Sequence, residues 1–126
     1  MRIKLIALFL FAFTTVGFSQ DKKCVEFKTG KFSYFNPAYK RYKVDRKEKI
    51  QTETDTVTGI VLEGAIEWKS DCEYVLTYTK VPDNAKKGVL GQKSSVQIVS
   101  ISGNKILCRS EGLGLKKDIE MIKIDN

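Results

Sequence analysis

The feature that most narrows the possible folds is a two-residue rhythm that runs through the chain after Gln20. In 40–46, Tyr42 and Val44 stand between Arg41, Lys43 and Asp45. In 48–54, Ile50, Thr52 and Thr54 oppose Lys49, Gln51 and Glu53. In 58–68, Ile60, Leu62, Ile66 and Trp68 oppose Glu63 and Glu67, and in 72–80, Cys72, Tyr74, Leu76 and Tyr78 oppose Glu73, Thr77 and Thr79. Phe32 and Tyr34 mark a shorter segment at 30–34. Successive strand residues point to opposite sheet faces, so this spacing predicts half-buried strands whose even-numbered residues turn inward. The abundance of Val, Ile, Thr, Tyr and Phe agrees.

Two later segments change phase. The apolar set moves from Val96 and Ile98 to Val99 and Ile101, and from Ile119 and Met121 to Ile122 and Ile124. A β-bulge switches faces in this way, and burial on both faces is the alternative. Between them, Ile106 and Cys108 share a face. Asn36-Pro37, the charged stretch 45–49, Ser70-Asp71, Ser102-Gly103-Asn104 and the glycine-bearing stretch 111–115 supply the breaks. Val61, Leu62, Ala65 and Ile66 also fit one face of a short helix, which Gly59, Gly64 and the β-branched residues disfavour. The expectation is an all-β domain of about eight antiparallel strands in a meander, a small barrel or a strongly curled sheet. The longest connection, 82–93, holds Pro82, two glycines and three lysines, and reads as a lid or a mobile excursion.

The N-terminus carries a targeting signal. Arg2 and Lys4 precede nine apolar residues, Leu5 to Phe13, and Gly17 and Ser19 sit where a signal peptidase needs small side chains. Nine residues are too few for a membrane span. Residues 1–19 are therefore expected to be a cleaved signal peptide and 20–126 a single exported domain, periplasmic or extracellular, with no integral span. Losing Arg2 and Lys4 lowers the net charge from +7 to +5, which favours solubility and names no partner.

Cys24, Cys72 and Cys108 are the only cysteines. Export predicts one oxidised pair and one thiol left over. Closing either the 24–72 or the 72–108 loop is worth roughly 4 kcal/mol, so loop length does not choose. A meander does: threaded up and down, it brings Cys24 and Cys72 to the same end and leaves Cys108 nearer the other. The expected bridge is Cys24–Cys72, with Cys108 buried as a small apolar residue.

The chain contains no histidine, which removes Ser-His-Asp and Cys-His catalysis and histidine-based zinc sites. The cysteines lack CxxC spacing, and no phosphate loop or calcium loop is present. Cys108 as a nucleophile, Glu63 with Glu67, and Lys93 with Ser94 or Ser95 are the remaining catalytic possibilities, each weaker than a structural role. No catalytic residue, metal or cofactor is expected. Lys40, Arg41, Lys43, Arg46, Lys47 and Lys49 cluster around Tyr39 and Tyr42. Such mixtures can hold nucleic acid, but Asp45 and Glu48 interrupt the run. A solvated face is expected, with no nucleic-acid partner.

The inward aromatics Phe32, Tyr34, Tyr42, Trp68, Tyr74 and Tyr78 either fill a core or line a pocket for a small apolar ligand. The leading expectation is a non-enzymatic barrel that holds such a ligand or an envelope partner protein. The alternative is a structural or interaction module of the cell envelope, acting through an edge strand or the basic face.

Gly30-Lys31-Phe32 resembles the Gly-x-Trp segment that opens the lipocalin barrel, with Phe for Trp and Lys123 nearest to the place of the family's arginine. More broadly, Phe27–Gly30, Ile50–Glu53, Trp68–Tyr78 and Glu120–Ile124 resemble small exported proteins of Bacteroidota, some of which carry the name DNA topoisomerase IV. Nothing in this short chain supports that activity. The resemblance implies export and carries over no functional residue.

Overall fold

The computed structural model describes residues 23–125. The expected signal peptide, 1–19, lies outside the described residues. Eight strands follow in order: β1 (Gly30–Tyr34), β2 (Tyr42–Arg46), β3 (Ile50–Asp55), β4 (Val61–Ser70), β5 (Glu73–Lys80), β6 (Lys93–Ser102), β7 (Lys105–Gly112) and β8 (Leu115–Asp125). Each pairs antiparallel with its neighbour in sequence, and β1 closes on β8. The result is an eight-stranded meander barrel. Closure pairs β1 with β8 over Met121–Asp125, so neither outer strand is an open edge along its whole length. Region 61–70 is strand rather than helix.

Turn chemistry sets the ends. Gly103 takes φ 62° between β6 and β7, the conformation that the Ser-Gly-Asn signal predicts. The phase change in β6 is a bulge: Ile98 pairs with Cys108 and Ser100 with Leu107, leaving Val99 as the extra residue on the outside. In β8 the shift falls later. Met121 and Lys123 keep to the inner row, and Ile124 is the extra residue opposite Lys31 and Phe32.

The base of the barrel is closed by a 3-10 turn, Cys24–Phe27, which plugs it with the Phe27 ring. Cys24 is bonded to Cys72 with the two Cα atoms 5.1 Å apart, as the meander threading predicts, and Cys108 is free and buried. Gly30 is required at the plug. Its φ is 133°, and a Cβ there would lie 2.7 Å from the Asp125 carbonyl oxygen and 2.6 Å from Lys123 Cε. Lys123 Nζ in turn donates to the Glu26 carbonyl at 2.6 Å, tying the last strand to the plug.

Above the plug lies a packed core of Phe32, Val44, Ile66, Tyr74, Leu76, Ile98, Ile106, Cys108 and Met121. Complete burial of each large apolar side chain contributes about 2 kcal/mol. The outer wall carries charge in cross-strand rows, Lys31 beside Asp45 and Arg109 beside Asp118. A membrane-spanning barrel has an apolar band in that position. Among the described residues no helix is long and apolar enough to cross a membrane.

Two expectations about faces fail. In β3 the inward row is odd-numbered: Ile50 is 46% exposed while Gln51 is 9% exposed. Arg46, expected on a solvated basic face, is 1% exposed. The two reversals have one cause. Arg46 and Gln51 are register partners, and the buried guanidinium needs the amide oxygen beside it.

Candidate functional site

The aromatic residues expected in one pocket divide between two environments. Phe32 and Tyr74 belong to the packed lower half, where Arg46 lies between them. Its Nε donates to Gln51 Oε1 at 2.9 Å, one terminal nitrogen to the Phe27 carbonyl at 3.0 Å, and the other to the Tyr74 hydroxyl at 3.0 Å. The guanidinium also lies over both rings. Trp68 sits at the base rim, 4.8 Å from the Tyr74 ring, and donates from its indole nitrogen to the Glu48 carbonyl at 2.8 Å. None of these three rings lines either mouth cavity described below. Tyr78 is partly buried against the core cluster and likewise borders neither cavity.

Tyr34 and Tyr42 occupy the opposite end, the mouth. A cavity of about 240 Å³ is lined there by Tyr34, Tyr39, Tyr42, Glu53, Lys117 and Ile119. An adjoining cavity of about 290 Å³ shares Tyr42 and Glu53 and extends over Asp55, Ile60 and Leu62 to Pro82, Ala85 and Val89. The strand periodicity of β1, β2, β3 and β8 turns these side chains inward. The 82–93 connection supplies the last three contacts through a 3-10 turn (Asp83–Ala85) and a single helical turn, α1 (Lys86–Val89). It arches over one side of the mouth as a lid would. Tyr39 reaches the cavity from a second 3-10 turn, Pro37–Tyr39, whose start is capped by Asn36 accepting from the Ala38 amide at 2.9 Å.

The polar groups of the mouth are ordered. The Tyr34 hydroxyl donates to Glu53 Oε1 at 2.7 Å. Burial raises the Glu53 carboxyl above its ordinary range, opposed by the Tyr34 hydrogen bond and by the nearby Lys117 charge. Burial and the Glu53 charge together raise the Tyr34 phenol far above its ordinary value. Two residues further along β3, Arg41 holds Asp55 in a two-pronged ion pair at 2.8 and 2.7 Å, and its hydrogen bonds keep that carboxyl well below the usual range. Asp55 is thus a structural anion, while Glu53 faces the cavity with one oxygen engaged by Tyr34.

The catalytic possibilities are not assembled. Burial pushes the Cys108 thiol up to about 11, against the thiolate a nucleophile needs. Lys93 Nζ bonds the Thr77 hydroxyl at 3.3 Å rather than Ser94 or Ser95. Glu67 pairs with Lys69 on the outer wall. Among the described residues no group of three or more acidic or cysteine side chains is arranged to hold a metal.

Sequence reasoning missed Tyr39, which it placed on the basic face, and Glu53, Lys117 and Ile119. The β3 alternation alone pointed Glu53 outward. The one available signal was the polarity of 51–55, where Gln51, Glu53 and Asp55 recur with the same period as the inward residues of β2. No family model, curated protein or solved structure matches the chain.

Proposed function

We propose that this chain is an exported, non-enzymatic binding barrel that takes one small, largely apolar ligand into its mouth. The observation that carries this reading is the asymmetry of the interior. The lower half is filled by Phe27, Phe32, Tyr74 and Arg46, whereas the upper half keeps adjoining cavities walled by Tyr34, Tyr42, Ile119 and Leu62. Eight-stranded barrels have room for one small molecule, as in lipocalins, and small-molecule sites combine apolar walls with a few fixed polar groups. Glu53 is that polar group here. A ligand with an apolar body and one hydrogen-bond donor would satisfy its free oxygen. The Cys24–Cys72 bridge supports an oxidising compartment.

Native mass spectrometry of the gently purified chain tests the reading. A co-purified small-molecule mass is expected on the wild type. It should be lost in Ile119→Trp, which fills the cavity, while the melting temperature is kept. Repeated wild-type preparations without bound mass would refute the proposal.

A further inference from the structure

Four of the connections at the mouth end each expose an apolar residue. Tyr39 on the β1–β2 loop, Val57 on the β3–β4 loop, Leu90 on the β5–β6 loop, and Leu113 and Leu115 on the β7–β8 hairpin are all exposed, Val57 at 71% and Leu115 at 60%. In a meander every one of these connections lies at the same end, so they form an apolar ring around the opening. The ring is interleaved with exposed lysines, Lys40, Lys86, Lys87 and Lys116, against few exposed acids: Asp83, paired with Lys86 at 3.0 Å, and Glu111, opposite Lys116, while Glu53 and Asp55 lie inside the mouth.

A second observation is independent of exposure. Leu113 has φ 54° and Gly114 φ 73°, so Leu113 holds the first central position of a turn that ordinarily takes Asn, Asp or Gly. Among the described residues it is the only non-glycine with positive φ. A leucine there is backbone-strained and 42% exposed, so neither turn geometry nor core packing accounts for it. Residues held against both preferences are found where a surface makes contacts outside the fold.

We propose that the mouth rim docks on an anionic lipid bilayer, with the loop-tip apolar side chains entering the headgroup boundary and the lysines meeting lipid phosphates. Apolar insertion combined with lysine attraction is the physical basis of reversible binding to anionic interfaces. The charge of the rim is complementary to that surface, and the geometry sets the barrel opening against it. The rim, not the cavity, carries this proposal.

The test compares wild type with Leu113→Asn, a change that suits the turn and removes the apolar tip. Both are recovered as the chain exists in an exporting host, and mass spectrometry verifies that they share one N-terminus. Each is co-sedimented with phosphatidylcholine vesicles and with vesicles that also contain phosphatidylglycerol. Wild type is expected to bind the anionic vesicles, to bind less as salt is raised, and to bind neutral vesicles weakly. Leu113→Asn should melt at the same or a higher temperature and lose about tenfold in anionic-vesicle affinity. Absence of wild-type binding to anionic vesicles, equal binding by the two proteins, or a wild-type dimer that Leu113→Asn dissolves would each overturn the proposal.

Discussion

The guanidinium carbon of Arg46 lies 4.5 Å from the centroid of the Phe32 ring, inside the barrel and directly above the plug. Around it are a carbonyl, an amide oxygen and a phenol oxygen, one for each nitrogen of the fork. The charge is held by neutral acceptors and aromatic faces, and it joins the plug, β2, β3 and β5 at a single point.

Removing that fork should therefore cost far more than an ordinary surface arginine. Arg46→Ala leaves the Phe27 carbonyl, Gln51 and Tyr74 without their donor in the core, and is expected to destabilise the protein by about 3 kcal/mol or more. Arg46→Lys should lose most of the same stability, because one ammonium cannot reach three divergent acceptors. Urea unfolding followed by tryptophan fluorescence reads both. A loss below about 1 kcal/mol for the alanine variant would show that the network is not what holds the base together.

The Cys24–Cys72 bridge ties the plug to the β4–β5 turn. Replacing both cysteines with serine is expected to cost about 4 kcal/mol. The plug should loosen before the barrel does, because β1 remains paired on both sides with β2 and β8. Limited proteolysis should then cut ahead of Gly30 at denaturant concentrations where the strands stay protected. Simultaneous cleavage of plug and barrel would contradict this order.

Glu53 and Asp55 neighbour each other on the inner row of β3 and should pull the pH dependence of stability in opposite directions. Burial raises Glu53 above its ordinary value of 4.5. The folded protein therefore keeps this proton after the unfolded chain has lost it, and stability falls as pH rises from 4.5 until Glu53 itself ionises. Arg41 lowers Asp55 below its ordinary value of 3.8. Its contribution is present above 3.8 and lost as pH falls through the lower folded-state value. Glu53→Gln keeps an oxygen that accepts from Tyr34, so it should flatten the decline above pH 4.5 and leave the protein more stable than wild type at neutral pH. Denaturation midpoints across a pH series check this. A variant less stable than wild type at neutral pH would mean that the carboxylate charge is needed in the mouth.

Much of the fold was legible because a strand announces itself locally. Alternation at 40–46, 58–68 and 72–80 identifies β2, β4 and β5, and Ser102-Gly103-Asn104 identifies a hairpin, whereas the phase change at Val99 allowed either a bulge or burial on both faces until the β6–β7 register decided for the bulge. The mouth was half legible. Tyr34 and Tyr42 follow from their spacing, whereas Glu53 and Lys117 do not, since an acid or a lysine in an alternating segment ordinarily marks the solvent side.

The order of residues along the chain determined the pleated ribbons, their turns and, through the up-and-down path, which two sulfurs could meet, because each depends on neighbours a few positions away or on a count of strands. Only the closed barrel decided which face of β3 turns inward, that Arg46 is enclosed, that Phe32 and Tyr74 pack solidly, and that Tyr34 and Tyr42 stand over open space. Those outcomes depend on partners brought across the interior from distant strands. A polar side chain can be buried when such a partner satisfies it, and no local pattern records whether that partner will arrive.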